Sequence, residues 1–287
     1  MGIKKIALWF ILIFSITTNF SFAQVSEEFH EKLANLKWVA YAPTNFNPEK
    51  EIYPSEVSLR HDLEVLFQAG FNGVVTYGSN ASLALVPQLA KETGFSGVIM
   101  GVWDFDNREE MDNAMLASGY VDGYCLGNEG LNSRYNADQV KEAIALIKEL
   151  TGKPATTTEQ VFDYYNDNVL VIGDWIFPNI HPFLSSIREP DKCVNWIGKN
   201  YEILQKHNKD GRPILFKEAG FPTAGERAAN EVNQRNFFLE LEKTDIPFVY
   251  FEAFDQPWKR TLSVEPHWGM FKSNRKPKKF ILAPNRK

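Results

Sequence analysis

The chain is poor in the residues that metal and nucleic-acid sites require. Of 287 residues only two are cysteine and five are histidine. The histidines are scattered, and no pair of Cys or His has metal-ligand spacing, so neither a metal nor another cofactor is expected. Cys125 lies in the apolar run Tyr124-Cys125-Leu126 and reads as a small buried residue; a bridge to Cys193 is left open by spacing alone. Clustered positive charge is also missing. The formal net charge is −5 and only Asn274 to Lys279, "NRKPKK", is locally basic, which argues against nucleic acid and anionic surfaces as partners. There is no Ser-, Gly- or Pro-rich linker, no charge block and no low-complexity tract, a pattern expected of one large domain rather than two small ones.

Long apolar runs are absent too, except at the start. Lys4-Lys5 precede the apolar stretch Ile6 to Ile16, and Ser21-Phe22-Ala23 precede Gln24. This order is that of a secretory signal peptide over 1–23 with cleavage after Ala23, since the run is well short of the ~20 residues a spanning helix needs. No cysteine near the cleavage point offers a site for a lipid anchor. The expected product is an exported chain over 24–287, periplasmic, secreted or at the cell surface, monomeric and without a membrane span.

What the remaining chain does contain is alternation. Strand signals at "KWVAYA", "GVVTYG", "GVIMGVW", "GYCLGNE", "PATTTEQ", "NVLVIGD" (Asn168 to Asp174), "PILFKEAG" and "PFVYFEAFD" alternate with helical patterns such as "SEVSLRHDLEVLFQAG" and "ADQVKEAIALIKELTG". Eight strand signals and seven helical ones are the order of a (β/α)₈ TIM barrel of ordinary length, ~250 residues. A doubly wound open sheet shares the alternation; eight repeats and the lack of a Gly-rich phosphate loop after the first strand count against it.

In a barrel, functional groups belong at the carboxyl ends of the strands. Polar and aromatic residues cluster there: Tyr41, Tyr77, Trp103, Asn128 with Glu129, Glu159, His181, Glu218, and Glu252 with Asp255. Glu129 and Glu218 stand out, since each follows an apolar strand and precedes a glycine within two residues, where the backbone can turn sharply. About three βα units of ~30 residues separate them. That places them on the fourth and seventh strands, on opposite sides of one cleft. Two carboxylates facing each other amid aromatic residues are the equipment for glycosidic bond cleavage; a single strand-end glutamate is more often solvated or ion-paired.

The motifs "LGNEGL" (Leu126 to Leu131), "PATTTEQ", "NIHPF", "KEAGFPTAG", "FEAFDQPWK" and "HWGMF" run in order over nearly the whole exported chain. In that order the chain resembles glycoside hydrolase family 17, the β-1,3-glucanase family, and especially its short bacterial and fungal members. The resemblance implies a retaining mechanism with Glu129 as acid/base and Glu218 as nucleophile. Asn128 resembles the residue that binds the 2-hydroxyl of the sugar being cleaved. By the same analogy Tyr77 and Lys259 are candidate donors to the nucleophile, and Glu252 with Asp255 resembles an acidic pair that holds the sugar; salt bridging to Lys259 would explain that pair as well. Glu159 and His181 are further candidates for substrate contact. Trp103, Phe183, Phe221, Trp258 and Trp268 could stack on glucose rings, or pack in the core. The roles require Glu218 to be surrounded by donors and Glu129 to sit in a drier setting.

His181 stands where plant relatives usually have tyrosine, and Ala219 and Phe221 where they usually have Thr and Trp; these departures leave the carboxylate pair intact but put any transfer of cleft length in doubt. The implied activity is retaining hydrolysis of a β-1,3-glucan such as laminarin. Its rivals are a transglycosylase using the same chemistry and a glucan-binding barrel without turnover. "NAS" at Asn80 matches an N-glycosylation acceptor, a pattern too short to carry weight.

Overall fold

The computed structural model describes residues 27–131 and 133–281; the signal-peptide reading of 1–23 lies outside them. The strands are β1 (Trp38–Ala40), β2 (Gly73–Val75), β3 (Gly97–Val102), β4 (Gly123–Leu126), β5 (Ala155–Thr156), β6 (Asn179–Ile180), β7 (Phe216–Gly220) and β8 (Phe248–Phe251). All pair in parallel in the order β5-β4-β3-β2-β1-β8-β7-β6. The curled sheet is joined across its two ends by a parallel bridge between Gln160 and Asn179, the topology of a (β/α)₈ barrel.

Parallel neighbours need crossovers, and the helices supply them: α1 (Glu56–Gln68), α2 (Val86–Thr93), α3 (Arg108–Leu116), α4 (Ala137–Thr151), the short α5 (Asp167–Leu170), α6 (Pro190–His207) and α7 (Glu231–Leu241). Most begin at a polar cap. Ser55, Asn107, Asn166 and Asn230 accept from backbone N–H groups of the first turn, and Asn136 forms a reciprocal capping box with Gln139. The barrel floor is apolar. Trp38 is fully buried and donates from Nε1 to the Lys32 carbonyl in a helical stretch over 27–35, while Phe29 of that stretch meets Trp175 edge-on. Each such side chain contributes about 1.5 to 3 kcal/mol by burial.

One strand differs from expectation. The apolar segment 168–174 is not the sixth strand: its first residues form α5, capped by Asn166, and β6 lies further on at Asn179–Ile180. A four-residue apolar run has no period of its own, so the cap decides its conformation.

The seventh strand has the feature that matters most for the site. Phe216 pairs with Phe248 and Ala219 with Tyr250, so three steps along β7 oppose two along β8. This is a β-bulge at Lys217 and Glu218. In a regular strand adjacent side chains point to opposite faces; a bulge re-aims one of them. Just beyond it, a Cβ on Gly220 would stand 2.1 Å from the Phe251 carbonyl oxygen, so the close approach of β7 to β8 requires glycine there.

Candidate active site

A cleft of about 590 Å³ opens at the carboxyl ends of the strands. Tyr41, Tyr77, Trp103, Asn128, Glu129, His181, Glu218, Trp258, Lys259 and Trp268 line it, the strand-end set that a barrel brings together. Glu159, Phe183, Phe221, Glu252 and Asp255 are not among the lining residues.

Glu218 is 5% exposed and held on both oxygens. Lys217 Nζ donates to Oε1 at 2.9 Å and His181 Nε2 lies 3.0 Å from Oε2. Burial alone would raise its pKa, but the Lys217 ammonium and the His181 hydrogen bond outweigh burial and hold the carboxyl well below the usual range. It is a committed carboxylate. His181 is itself packed between Phe251 and Trp268, at ring distances of 5.0 and 5.4 Å.

Glu129 faces it across the cleft. One donor atom each from Glu129, His181 and Glu218 lie within 4.8 Å of one another. A divalent cation could use such a trio, yet the ammonium of Lys217 already occupies Glu218 and its charge opposes a second cation. Glu129 sits on a tight turn: its own φ is +51° and that of Gly127 is +75°. A Cβ on Gly130 would stand 2.2 Å from the Tyr135 ring, and one on Gly127 2.3 Å from the Tyr135 hydroxyl. Tyr135 is packed against the turn from below and donates to Glu159 Oε1 at 2.7 Å, while Glu159 also accepts from the Gly130 and Leu131 amides. Glu159 is thus a brace under the Glu129 turn rather than a wall of the cleft. Gly130→Ala is expected to push Tyr135 away and misplace Glu129, lowering activity about 100-fold while a thermal melt still shows a cooperative transition; unchanged activity would remove Tyr135 from this role.

Several expectations need correction. Glu129 is exposed to the cleft, not in a dry setting, because the turn projects it into the open mouth; among the described residues its carboxylate accepts from Asn179 Nδ2, at 2.6 Å. Lys259 does not reach the nucleophile. It donates to Glu252 at 2.9 and 3.2 Å, beside which burial still pushes the Glu252 carboxyl up to about 7. Asp255 pairs with Lys278 at 2.6 Å and accepts from the Gly269 amide, so it holds the segments around those two residues rather than lining the cleft. Phe183 and Phe221 are fully buried and meet each other edge-on at 5.0 Å; they are core. The Tyr77 hydroxyl is buried near Glu218 with no hydrogen-bond partner among the described residues, and burial with the Glu218 charge raises its pKa well above the ordinary value, so it stays protonated. Tyr41 donates to the buried Asp62 at 3.0 Å.

At the far wall Trp103 is 44% exposed. Its ring is backed by the Arg134 guanidinium at 4.6 Å, and Arg134 also donates to the Trp103 and Asn128 carbonyls. The lining also includes Phe46, Tyr53 and Trp258, with Phe46 5.8 and 6.3 Å from the other two rings. Asn80 donates to Tyr53 Oη at 2.6 Å within this cleft, a committed position at odds with a glycan acceptor. Cys125 and Cys193 are both buried and free.

Residues 39–269 match the BtgE/BtgC glycoside hydrolase domain. The chain belongs to that family. Among curated relatives of this BtgE/BtgC domain are a probable glucan endo-1,3-beta-glucosidase btgC of Aspergillus clavatus, 23% identical over 81% of this chain and 40% of its own length, and a glucan 1,3-beta-glucosidase of Arthroderma benhamiae, 25% identical over 69% and 75%. The chain thus spans about two fifths of the btgC protein's length. Similar folds include an endo-laminarinase from Formosa Hel1_33_131 (TM-score 0.70, 15% identity, 83% of each chain) and CJP38, a beta-1,3-glucanase and allergen of Cryptomeria japonica pollen (TM-score 0.66, 17% identity, 85% and 97%).

Sequence reasoning missed four polar residues of this BtgE/BtgC domain's site. Lys217 was hidden by the bulge. Asn179, fully buried, holds Glu129 and is in register with Glu218 on β7; its place in "NIHPF" was the available signal. Tyr135 and Glu110 had none. Glu110 accepts from the Trp103 and Ser79 amides at 2.8 and 3.2 Å and so ties two cleft loops together.

Proposed function

We propose that this BtgE/BtgC domain hydrolyses β-1,3-glucan with retention of configuration, in the manner of glycoside hydrolase family 17, as an exported monomer. The observation that carries this reading is the pair Glu129 and Glu218, within 4.8 Å through their oxygens and in unlike surroundings. A short separation leaves no room for a water between carboxylate and sugar and favours direct attack; inverting enzymes need about 6.5 to 9.5 Å between carboxyl groups. The glucan activities for which the fungal relatives are named support the substrate class.

In the first step a Glu218 oxygen attacks the anomeric carbon as Glu129 gives its proton to the departing glycosidic oxygen. In the second, Glu129 takes a proton from water, the water oxygen bonds to the anomeric carbon, and the bond to Glu218 breaks with its electron pair returning to the carboxylate. Trp103 and Arg134 flank Glu129, so the leaving part of the chain lies on their side.

Laminarin digested in an NMR tube tests the reading. The β-anomer of the new reducing end is expected first, mutarotating later. The α-anomer first would mean inversion; elongated oligosaccharides would mean transfer; binding without new reducing ends would mean a barrel that captures glucan without turnover.

A further inference from the structure

We infer that Lys217 is a positioning residue of the reaction, one that fixes the orientation of the Asn128 amide and the pose of Glu218 with a single ammonium group. The inference rests on the reading of Glu218 as nucleophile and Asn128 as the partner of the sugar 2-hydroxyl.

Lys217 is 1% exposed, and an ammonium so buried is costly unless its protons are all engaged. Here they are. Nζ donates to Asn128 Oδ1 and to Glu218 Oε1, and lies 4.3 Å from the centre of the Tyr77 ring, over its face. Lysine can only donate. The Asn128 atom it meets is therefore the oxygen, which settles an amide orientation that is otherwise ambiguous and leaves Nδ2 as the polar group for the sugar. A 2-hydroxyl accepting from Nδ2 is then free to donate to Glu218, the contact that strengthens in the transition state.

The bulge makes this possible, because it brings two consecutive side chains of β7 to one side. The ammonium also acts on both chemical steps. Forming the glycosyl ester removes the charge that Lys217 faces, and breaking the ester restores it, so Lys217 favours release of the sugar over its capture. Other groups face Glu218 too: His181 after β6, Tyr77 after β2, Glu129 after β4, and Glu252 after β8 with Lys259 against it. Lys217 is the one of these that contacts both Glu218 and Asn128.

The test uses the exported chain with defined β-1,3-gluco-oligosaccharides and their analogues lacking the 2-hydroxyl in the reacting ring. Labelling the wild type with an activated 2-fluoro glucoside comes first: a label elsewhere than Glu218 refutes the parent reading. With Glu218 labelled, Lys217→Met is expected to raise the acid limb of kcat/KM by about 1 to 3 pH units and to shrink the 2-deoxy penalty at least fivefold. Lys217→Arg, which keeps the charge but not the length, is expected to return the acid limb toward wild type while the 2-deoxy penalty stays small. A folded Lys217→Met or Lys217→Gln with wild-type limb and penalty overturns the inference. So does a series in which only Lys217→Arg folds and both its readouts equal those of the wild type, since Lys217 would then be a requirement of folding alone.

Discussion

Replacing Glu218 with Gln is expected to lower turnover of β-1,3-gluco-oligosaccharides about 10⁴-fold or more. Gln keeps the shape and one acceptor but cannot form the glycosyl ester. The loss should appear in kcat rather than in KM, since substrate contacts on both walls remain. Stability should fall as well. Lys217 and His181 would face a neutral amide, and breaking a buried pair from one side costs about 3 to 5 kcal/mol. The pH dependence has a definite sign. The Glu218 carboxyl is held below the ordinary range in the folded chain, by Lys217 and His181 against burial. Below the unfolded value of about 4.3 the unfolded chain binds the proton more readily, so the stabilisation is present above that pH and is lost as pH falls toward the folded value. The gap in Tm between wild type and Glu218→Gln should therefore be widest at neutral pH and narrow on acidification. Activity within about tenfold of wild type would exclude Glu218 as nucleophile.

The second large effect is expected for Glu129→Gln, and it should depend on the leaving group. Proton transfer of this kind contributes about 10² to 10⁴-fold, so glucan cleavage should fall by that amount. An aryl β-1,3-gluco-oligoside with an acidic phenol needs no proton to depart, and its first step should stay near the wild-type rate. Its second step should not, because no base remains to activate water. A burst of phenol followed by a slow steady state is the expected trace, and azide, a nucleophile that needs no base, should relieve the slow phase and give the β-glycosyl azide. Equal losses on glucan and aryl substrate, without a burst, would take the acid/base role from Glu129.

The barrel was legible because its signals are local. Apolar runs and amphipathic helices each declare themselves within a dozen residues. Both carboxylates were legible for the same reason, as charges set at the ends of apolar strands beside glycine. What escaped depends on contacts distant in sequence. Asp255 pairs with Lys278, and no local pattern separates such a pair from a sugar contact. Phe183 and Phe221 are aromatic residues after strand ends like Trp103, yet they turn inward; only the packing of the surrounding loops distinguishes a platform from a core residue. Lys217 escaped for a sharper reason. Period-two reasoning sends the neighbour of an inward glutamate outward, and a bulge cancels that rule without leaving a mark in composition.

The seam between Gln160 and Asn179 gives the barrel a mechanical polarity. Glu218 stands on the side where β7 is paired along much of its length with β8 and is flanked by β6. Glu129 leans on Asn179, beside a seam that, among the described residues, is held by one bridge with its two backbone hydrogen bonds, a third from the Asp174 amide to the Ala155 carbonyl, and side-chain bonds from Thr156 to Trp175 and from Thr158 to Asn179. Local opening follows the fewest bonds. On the proposed roles, the strand paired on both sides carries the group that would hold a covalent intermediate still, and the seam side carries the group past which the departing chain would leave.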